Sequence, residues 1–161
     1  MKLRRLCEKD VELILEWMKD ESIAKYFRFT PEQITRESIM TFIKTANASM
    51  QDRHYAIVDK EDMYLGTISL KNIDEKNKNA EYAIALRKCA IGYGVAKWAT
   101  EEIIKVAFNL LGIHKVYLNV LSYNTRAIKF YEKMGFCYEG GHQCLMRRCL
   151  SLSKTETIED I

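Results

Sequence analysis

The stretch NAEYAIALRKCAIGYGVAKWAT, Asn79 to Thr100, decides how the rest of the chain is organised. Ala80 to Leu86 has the composition of a strand, a tight polar turn follows, and Gly92-Tyr93-Gly94 opens a long helix running to about Leu111. The first N–H groups of a helix have no partner within it and sit at the positive end of its dipole, so a helix start attracts anions. Glycines there let the main chain approach a phosphate with no Cβ in the way. The turn is not a Walker loop, because Gly94 is followed by Val95 and Ala96 where that motif has Lys and Ser or Thr. It is not the dinucleotide fingerprint either, whose third small residue is replaced by Lys97. A G-x-G also serves as a plain helix cap, so a phosphate site needs support from elsewhere in the chain.

The 161 residues are enough for one domain with a proper core, expected over 1–152, with a polar tail over 153–161. Hydrophobic content of 48% and charged content of 29% are those of a globular protein. The net charge of +3, with acids and bases mixed along the chain, argues against a nucleic-acid surface. Cysteine occurs five times, an odd number with no C-x-x-C pair, which points to reduced thiols and a cytoplasmic location. No apolar signal core follows the basic Met1–Cys7 segment, and no apolar run approaches the ~18 residues of a membrane span. His142 and Cys144 have metal-ligand spacing, but no second pair completes a site, so no metal is expected.

Taken in order, Lys2–Leu6 is expected as a strand. Asp10 is expected to cap a helix with Leu13, Ile14 and Trp17 on one face. Tyr26, Phe27 and Phe29 either line a substrate pocket or pack beneath a helix pair. Thr35 caps a second amphipathic helix with Ile39, Phe42 and Ile43 inward. From Arg53 the period changes to two, giving strands over His54–Val58, Tyr64–Ile73 and Ala80–Leu86 as an antiparallel meander. Gly66 within the second of them marks a bulge or a close backbone approach. Ala96, Ala99, Ile103, Ala107 and Leu110 form the inward stripe of the long helix. The strand His114–Leu121 comes next, then a helix with Ala127, Ile128, Tyr131 and Met134 inward. A hairpin from Phe136 to Leu152, turning at Gly140-Gly141, closes the sheet. Strand–helix–strand units feeding one sheet define a mixed α/β fold. The Ala80–Leu86 and His114–Leu121 strands run parallel in it, with a ligand beside the helix N-terminus at their carboxyl ends.

With these elements in place, two blocks resemble the GNAT superfamily of N-acetyltransferases. The signature [Q/R]-x-x-G-x-[G/A] falls on Cys89-Ala90-Ile91-Gly92-Tyr93-Gly94. A second block, N-x-x-A-x-x-[FL]-Y-x-x-x-G-F, matches Asn124, Ala127, Phe130, Tyr131, Gly135 and Phe136 without a gap. Leu3-Arg4, the Trp17 helix and Glu81-Tyr82-Ala83-Ile84 further resemble the branch containing ribosomal-protein N-terminal, amino-sugar and polyamine acetyltransferases. The resemblance implies a mostly antiparallel sheet with a central parallel pair and helices on both faces. It also implies acetyl-CoA as donor and an amine as acceptor, by direct attack in a ternary complex.

It implies site residues as well. Main-chain N–H groups of Gly92, Tyr93, Gly94, Val95 and Ala96 would hold the pyrophosphate. Arg87 and Lys88 would meet outer phosphates, or are a solvated turn. Ile84 and Leu86 would pair their main chain with the pantetheine arm, and the Ile84 N–H would polarise the thioester carbonyl. Asn124 and Ala127 belong to the block that contacts this arm; Asn124 is otherwise a plain cap. Glu81 would accept the proton of the arriving ammonium, or is an edge charge. Tyr131 would donate to the departing sulfur, a phenol of pKa near ~10 matching a thiolate, or is a core tyrosine. Cys89 stands where the signature has Gln or Arg, which removes one phosphate-facing side chain. That departure keeps open a non-catalytic module that senses acyl-CoA or binds a partner. A homodimer through an exposed strand or helix face is also open.

Overall fold

The computed structural model describes residues 1–27, 29–140 and 145–149. Strand β1 (Lys2–Arg5) leads through a 3-10 turn into α1 (Val11–Lys19), the brief α2 (Glu21–Ala24) and α3 (Arg36–Ala48). The meander follows as β2 (Arg53–Val58), β3 (Tyr64–Asp74) and β4 (Asn79–Leu86). Helix α4 (Val95–Lys105) crosses to β5 (Lys115–Asn119), and α5 (Thr125–Lys133) precedes β6 (Cys137–Gly140) and β7 (Leu145–Cys149). The sheet order is β1-β2-β3-β4-β5-β7-β6, antiparallel except for the parallel pair β4 and β5. The architecture is the mixed α/β one expected, with the last strand slotted between β5 and β6. The turn after Gly140, the His142–Cys144 pair and the polar tail lie outside the described residues.

Helices cover both faces. Val11, Ile14, Trp17, Ile39 and Ile43 of α1 and α3 pack over Ala56, Val58 and Tyr64 on one side. Val95, Ala99 and Ile103 of α4 pack over Ile57, Ile68, Leu70 and Tyr82 on the other. Tyr64 and Ile68 share a parity yet face opposite layers. Leu65 is an extra residue, since Ile57 pairs with Gly66 while Val58 pairs with Tyr64, and a one-residue bulge inverts the alternation. Tyr64 is thereby sent under α1, where its hydroxyl accepts from Trp17 Nε1 at 3.0 Å and meets Thr67 Oγ1 at 2.7 Å. Burial pushes that phenol up to about 12.

Gly66 is both of the things its sequence context allowed: it borders the bulge, and β4 passes directly over it. A Cβ built there overlaps the Ala85 carbonyl oxygen and lies 2.7 Å from Leu86 Cδ2. Neither strand has room to retreat, so Gly66→Ala is expected to cost about 1–3 kcal/mol, read from the denaturant midpoint.

Three local expectations are corrected. Asp10 does not cap α1: its buried carboxylate turns back to accept from the Cys7 N–H at 2.9 Å and from Arg4, closing the preceding 3-10 turn. Phe42 is 41% exposed and lies edge-on to His54 instead of entering the core. Leu110 is 74% exposed, because the helix passes into a π turn over Val106–Leu110 and the wider turn rotates it off the stripe that Ala99, Ile103 and Ala107 follow. Thr35 does cap α3, exchanging bonds with Ser38 in a capping box.

Candidate active site

Strands β4 and β5 pair only over Asn79–Glu81 and Lys115–Tyr117. Beyond that they diverge, and residues 81–86 and 118–121 form opposite walls of a cleft of about 1140 Å³. The Arg87 N–H donates to the Leu65 carbonyl at 2.9 Å. In the antiparallel register this makes residues 81, 83 and 85 the ones bonded to β3, and turns the main-chain N–H and C=O of Tyr82, Ile84 and Leu86 the other way. Where β5 has left, these groups face the cleft as a free strand edge. Such an edge fits an extended chain carrying amides.

The start of α4 forms the end of the cleft. The helix begins at Val95 rather than Gly92, and Gly92 and Gly94 make the turn before it with φ of 92° and 75°. Only glycine adopts such angles without strain, and no atom lies within 4 Å of where either Cβ would be. The first intrahelical bond there is from the Trp98 N–H to the Gly94 carbonyl, 3.1 Å, and no side chain caps the turn. The N–H groups of Val95, Ala96 and Lys97 therefore have no intrahelical partner and open space in front of them. That geometry fits a pyrophosphate.

Lys88, Lys97 and Arg126 also line the cleft. Lys97 and Arg126 stand in the first turns of α4 and α5, where the helix dipole disfavours a cation. An anion between the two helix starts would compensate for that placement. In the sequence Lys97 serves only to exclude other motifs, and no motif marks Arg126. The available signal was a base in a first helical turn.

Tyr131 reaches the cleft from α5. Its ring packs edge-on against Tyr82 at 5.7 Å and against Phe136 at 5.8 Å, and its hydroxyl makes no hydrogen bond among the described residues. Burial alone holds its phenol well above the ordinary value of 10. The neighbouring Tyr82 hydroxyl is satisfied by Thr100 Oγ1 at 2.7 Å. Asn124 caps α5, its Oδ1 accepting from the Ala127 N–H at 3.3 Å. The Asn124 amide nitrogen is left for the cleft, which both residues line.

Glu81 reaches the cleft from the opposite sheet face, that of Ala85 and the α1–α3 layer. Its carboxylate accepts from Asn72 Nδ2 at 2.9 Å and lies 3.8 Å from Lys71 Nζ. A second irregularity in β3 aims Asn72: residues 72 and 73 oppose Ala80 alone, and Asn72 has φ of 50°. On the other side Glu81 is in register with Tyr117, whose phenol is raised by burial and then by Glu81.

The cleft thus brings together Glu81, Ile84, Leu86, Lys88, Gly92, Gly94, Val95, Ala96, Asn124, Ala127 and Tyr131. Arg87 is not among them: its guanidinium is tied to Glu16 at 3.1 and 3.2 Å and to the Tyr64 carbonyl at 3.1 Å. The Tyr93 side chain is 80% exposed and outside the cleft. Of the early aromatics, Phe27 and Phe29 both pack on Trp17, and Tyr26 and Phe27 line the cleft. Among the described residues no group of three or more His, Cys, Asp and Glu is placed to hold a metal, and no helix is long and apolar enough to cross a membrane.

Fold and cleft together fit an acyl-CoA-dependent transferase, and comparison with known proteins gives the family. The chain belongs to the GNAT acetyltransferase family: residues 1–137 match the profile described as Acetyltransferase (GNAT) domain. It is an N-acetyltransferase with acetyl-CoA as co-substrate. The spermidine N(1)-acetyltransferase of Vibrio cholerae is 26% identical over 138 residues, covering 86% of this chain and 79% of that one. Acetyltransferase PseH of Campylobacter jejuni is 24% identical over 161 residues, covering 98% of each. The fold superposes with a TM-score of 0.81 on the crystal structure of Vibrio cholerae spermidine N-acetyltransferase in complex with CoA and spermine, at 23% identity and covering 91% and 92% of the two chains.

Proposed function

We propose that this protein moves acetyl from acetyl-CoA to a primary amine by direct attack in the cleft, with Glu81 and Tyr131 as the proton-transfer groups. The observation that carries this is their convergence from opposite sheet faces on one opening between β4 and β5. Glu81 takes the proton of the arriving ammonium, directly or through water, and frees the lone pair. The C–N bond forms as the C–S bond breaks, while the Ile84 N–H draws charge from the carbonyl oxygen. Tyr131, kept protonated by burial, gives its proton to the departing sulfur, and the second proton lost by the nitrogen restores the phenol, directly or through water. The amides of residues 92–97, with Lys88, Lys97 and Arg126, hold the phosphates; Asn124 and the edge at Ile84 and Leu86 hold the amide-bearing arm. Acetyl-CoA supplies the activated acyl group.

Calorimetric titration with acetyl-CoA, with ATP as control, is expected to give saturable binding of acetyl-CoA alone. Glu81→Gln is expected to keep that binding and lower kcat by about 10²–10⁴-fold. A protein that senses acyl-CoA without turnover would show binding and no activity to lose. A homodimer belongs to this reading, and the dodecameric structure of the Vibrio cholerae relative supports self-association; sedimentation velocity decides the number of copies. A cytoplasmic location is supported by free thiols on Cys7, Cys89 and Cys137 and is checked by cell fractionation.

A further inference from the structure

The charge on the cleft walls bears on which amine is accepted. Among the described residues Glu81 is its one carboxylate, against Lys71, Lys88, Lys97 and Arg126. The last three stand at or near the phosphate-binding helix starts, which leaves Lys71 beside Glu81 on the acceptor side. Nearby acids lie outside the cleft lining: Glu16 is tied to Arg87, Asp20 to Ser22, Asp52 to the Asn72 N–H and Asp74 to Asn77, while Glu21 lines a separate hollow with Lys25 and Phe27. Lys25 adds another cation at this rim, its Nζ 5.0 Å from the Tyr26 ring centre. Tyr26, 37% exposed, and Tyr123, 66% exposed, stand 6.4 Å apart there. A chain with several ammonium groups needs a carboxylate for each. Among the described residues this wall offers one, with a lysine ammonium 3.8 Å away.

Resting on the acetyl-transfer reading above, we propose that the acceptor is a monocationic amine with an apolar or aromatic body, and that Lys71 is the specificity residue that turns polyamines away. The single ammonium docks at Glu81 and the body rests against Tyr26 and Phe27. A second ammonium further along the acceptor meets Lys71 with like charge and no counter-ion. This separates the chain from its relatives named for spermidine, although the fold is shared.

The test uses the full chain with acetyl-CoA and three acceptors: phenethylamine, 6-aminohexanol (a flexible chain with one ammonium) and spermidine. Turnover gives kcat/KM, and calorimetry in the presence of CoA gives acceptor affinity independently of chemistry. Both monoamines are expected to exceed spermidine by about tenfold or more in each measure. Lys71→Gln is expected to narrow that gap by about tenfold through the spermidine arm, and Lys71→Arg to keep it. Spermidine equal to or better than the monoamines overturns the proposal. So does a gap that Lys71→Gln leaves unchanged, because then Lys71 serves only the sheet or Glu81. If a wild type that binds acetyl-CoA consumes none of the amines, this inference is overturned and the acetyl-transfer reading stands; a wild type that does not bind acetyl-CoA overturns both. That failure differs visibly from consumption of the wrong acceptor.

Discussion

Tyr131→Phe is expected to lower kcat by about 10²–10⁴-fold while leaving acetyl-CoA affinity and the unfolding midpoint unchanged. Only the hydroxyl is removed. The ring keeps its packing on Tyr82, Phe130 and Phe136, and the lost hydroxyl leaves no partner unpaired among the described residues. The pH profile supplies a second check. Burial raises the phenol above its ordinary value of 10, so the proton-donating form persists to higher pH than in an exposed tyrosine. The wild type should therefore show no alkaline loss of kcat from this group below about pH 10. Phenylalanine at this position with turnover within a few-fold of wild type would make Tyr131 a core residue only, and another group would have to protonate the sulfur.

The largest expected loss of stability is at the other end of the molecule. Arg4 holds Asp10 with two bonds of 2.8 Å, and Asp10 is 1% exposed. Arg4 also reaches Asp62 at 2.7 Å, tying β1 to the β2–β3 turn. Arg4→Met keeps much of the hydrocarbon stem but strands the Asp10 carboxylate without a counter-ion. Breaking a buried pair from one side costs about 3–5 kcal/mol, a drop that the denaturant midpoint resolves. Adding Asp10→Asn removes the stranded charge while keeping an acceptor for the Cys7 N–H, so the double variant should recover most of the loss. No recovery would mean that the guanidinium matters through packing. The cluster also shapes the acid limb. The Lys9 and Arg4 hydrogen bonds lower Asp62 from 3.8 to about 2. Its folded value lies below its unfolded one, so its stabilisation is complete above about pH 4 and is lost as pH falls toward 2.

Much of this architecture was legible in the sequence because local chemistry imposes it. The Thr35 cap and the period-two runs at Arg53–Leu86 act over a few residues, as does the Asn124-to-Phe136 spacing, and the structure keeps them. Glycines at 92 and 94 were legible as a turn before the helix for the same reason: positive φ is a property of the residue itself. Asp10 was misjudged because a cap signal says only that a carboxylate will find a donor. The nearer competitor, a guanidinium from β1, is brought there by the sheet. Leu110 left its expected face because nothing in the helical period announces a π turn.

The reacting geometry is tertiary throughout. Which main-chain groups of β4 are free depends on where β5 stops pairing, and that depends on how two strands far apart in sequence diverge. Arg87 sits in the expected stretch, yet Glu16 of α1 draws it away. Lys71 lies ten residues before Glu81 and gains its meaning only because the hairpin register sets the two side by side. The sequence by itself determined the elements, the glycine turn before α4 and the family, since each is written in neighbours along the chain. The meeting of Glu81 with Lys71, of Tyr131 with Tyr82, and of both groups with one cleft was decided only by packing across the sheet, where long-range contacts overrule local preference.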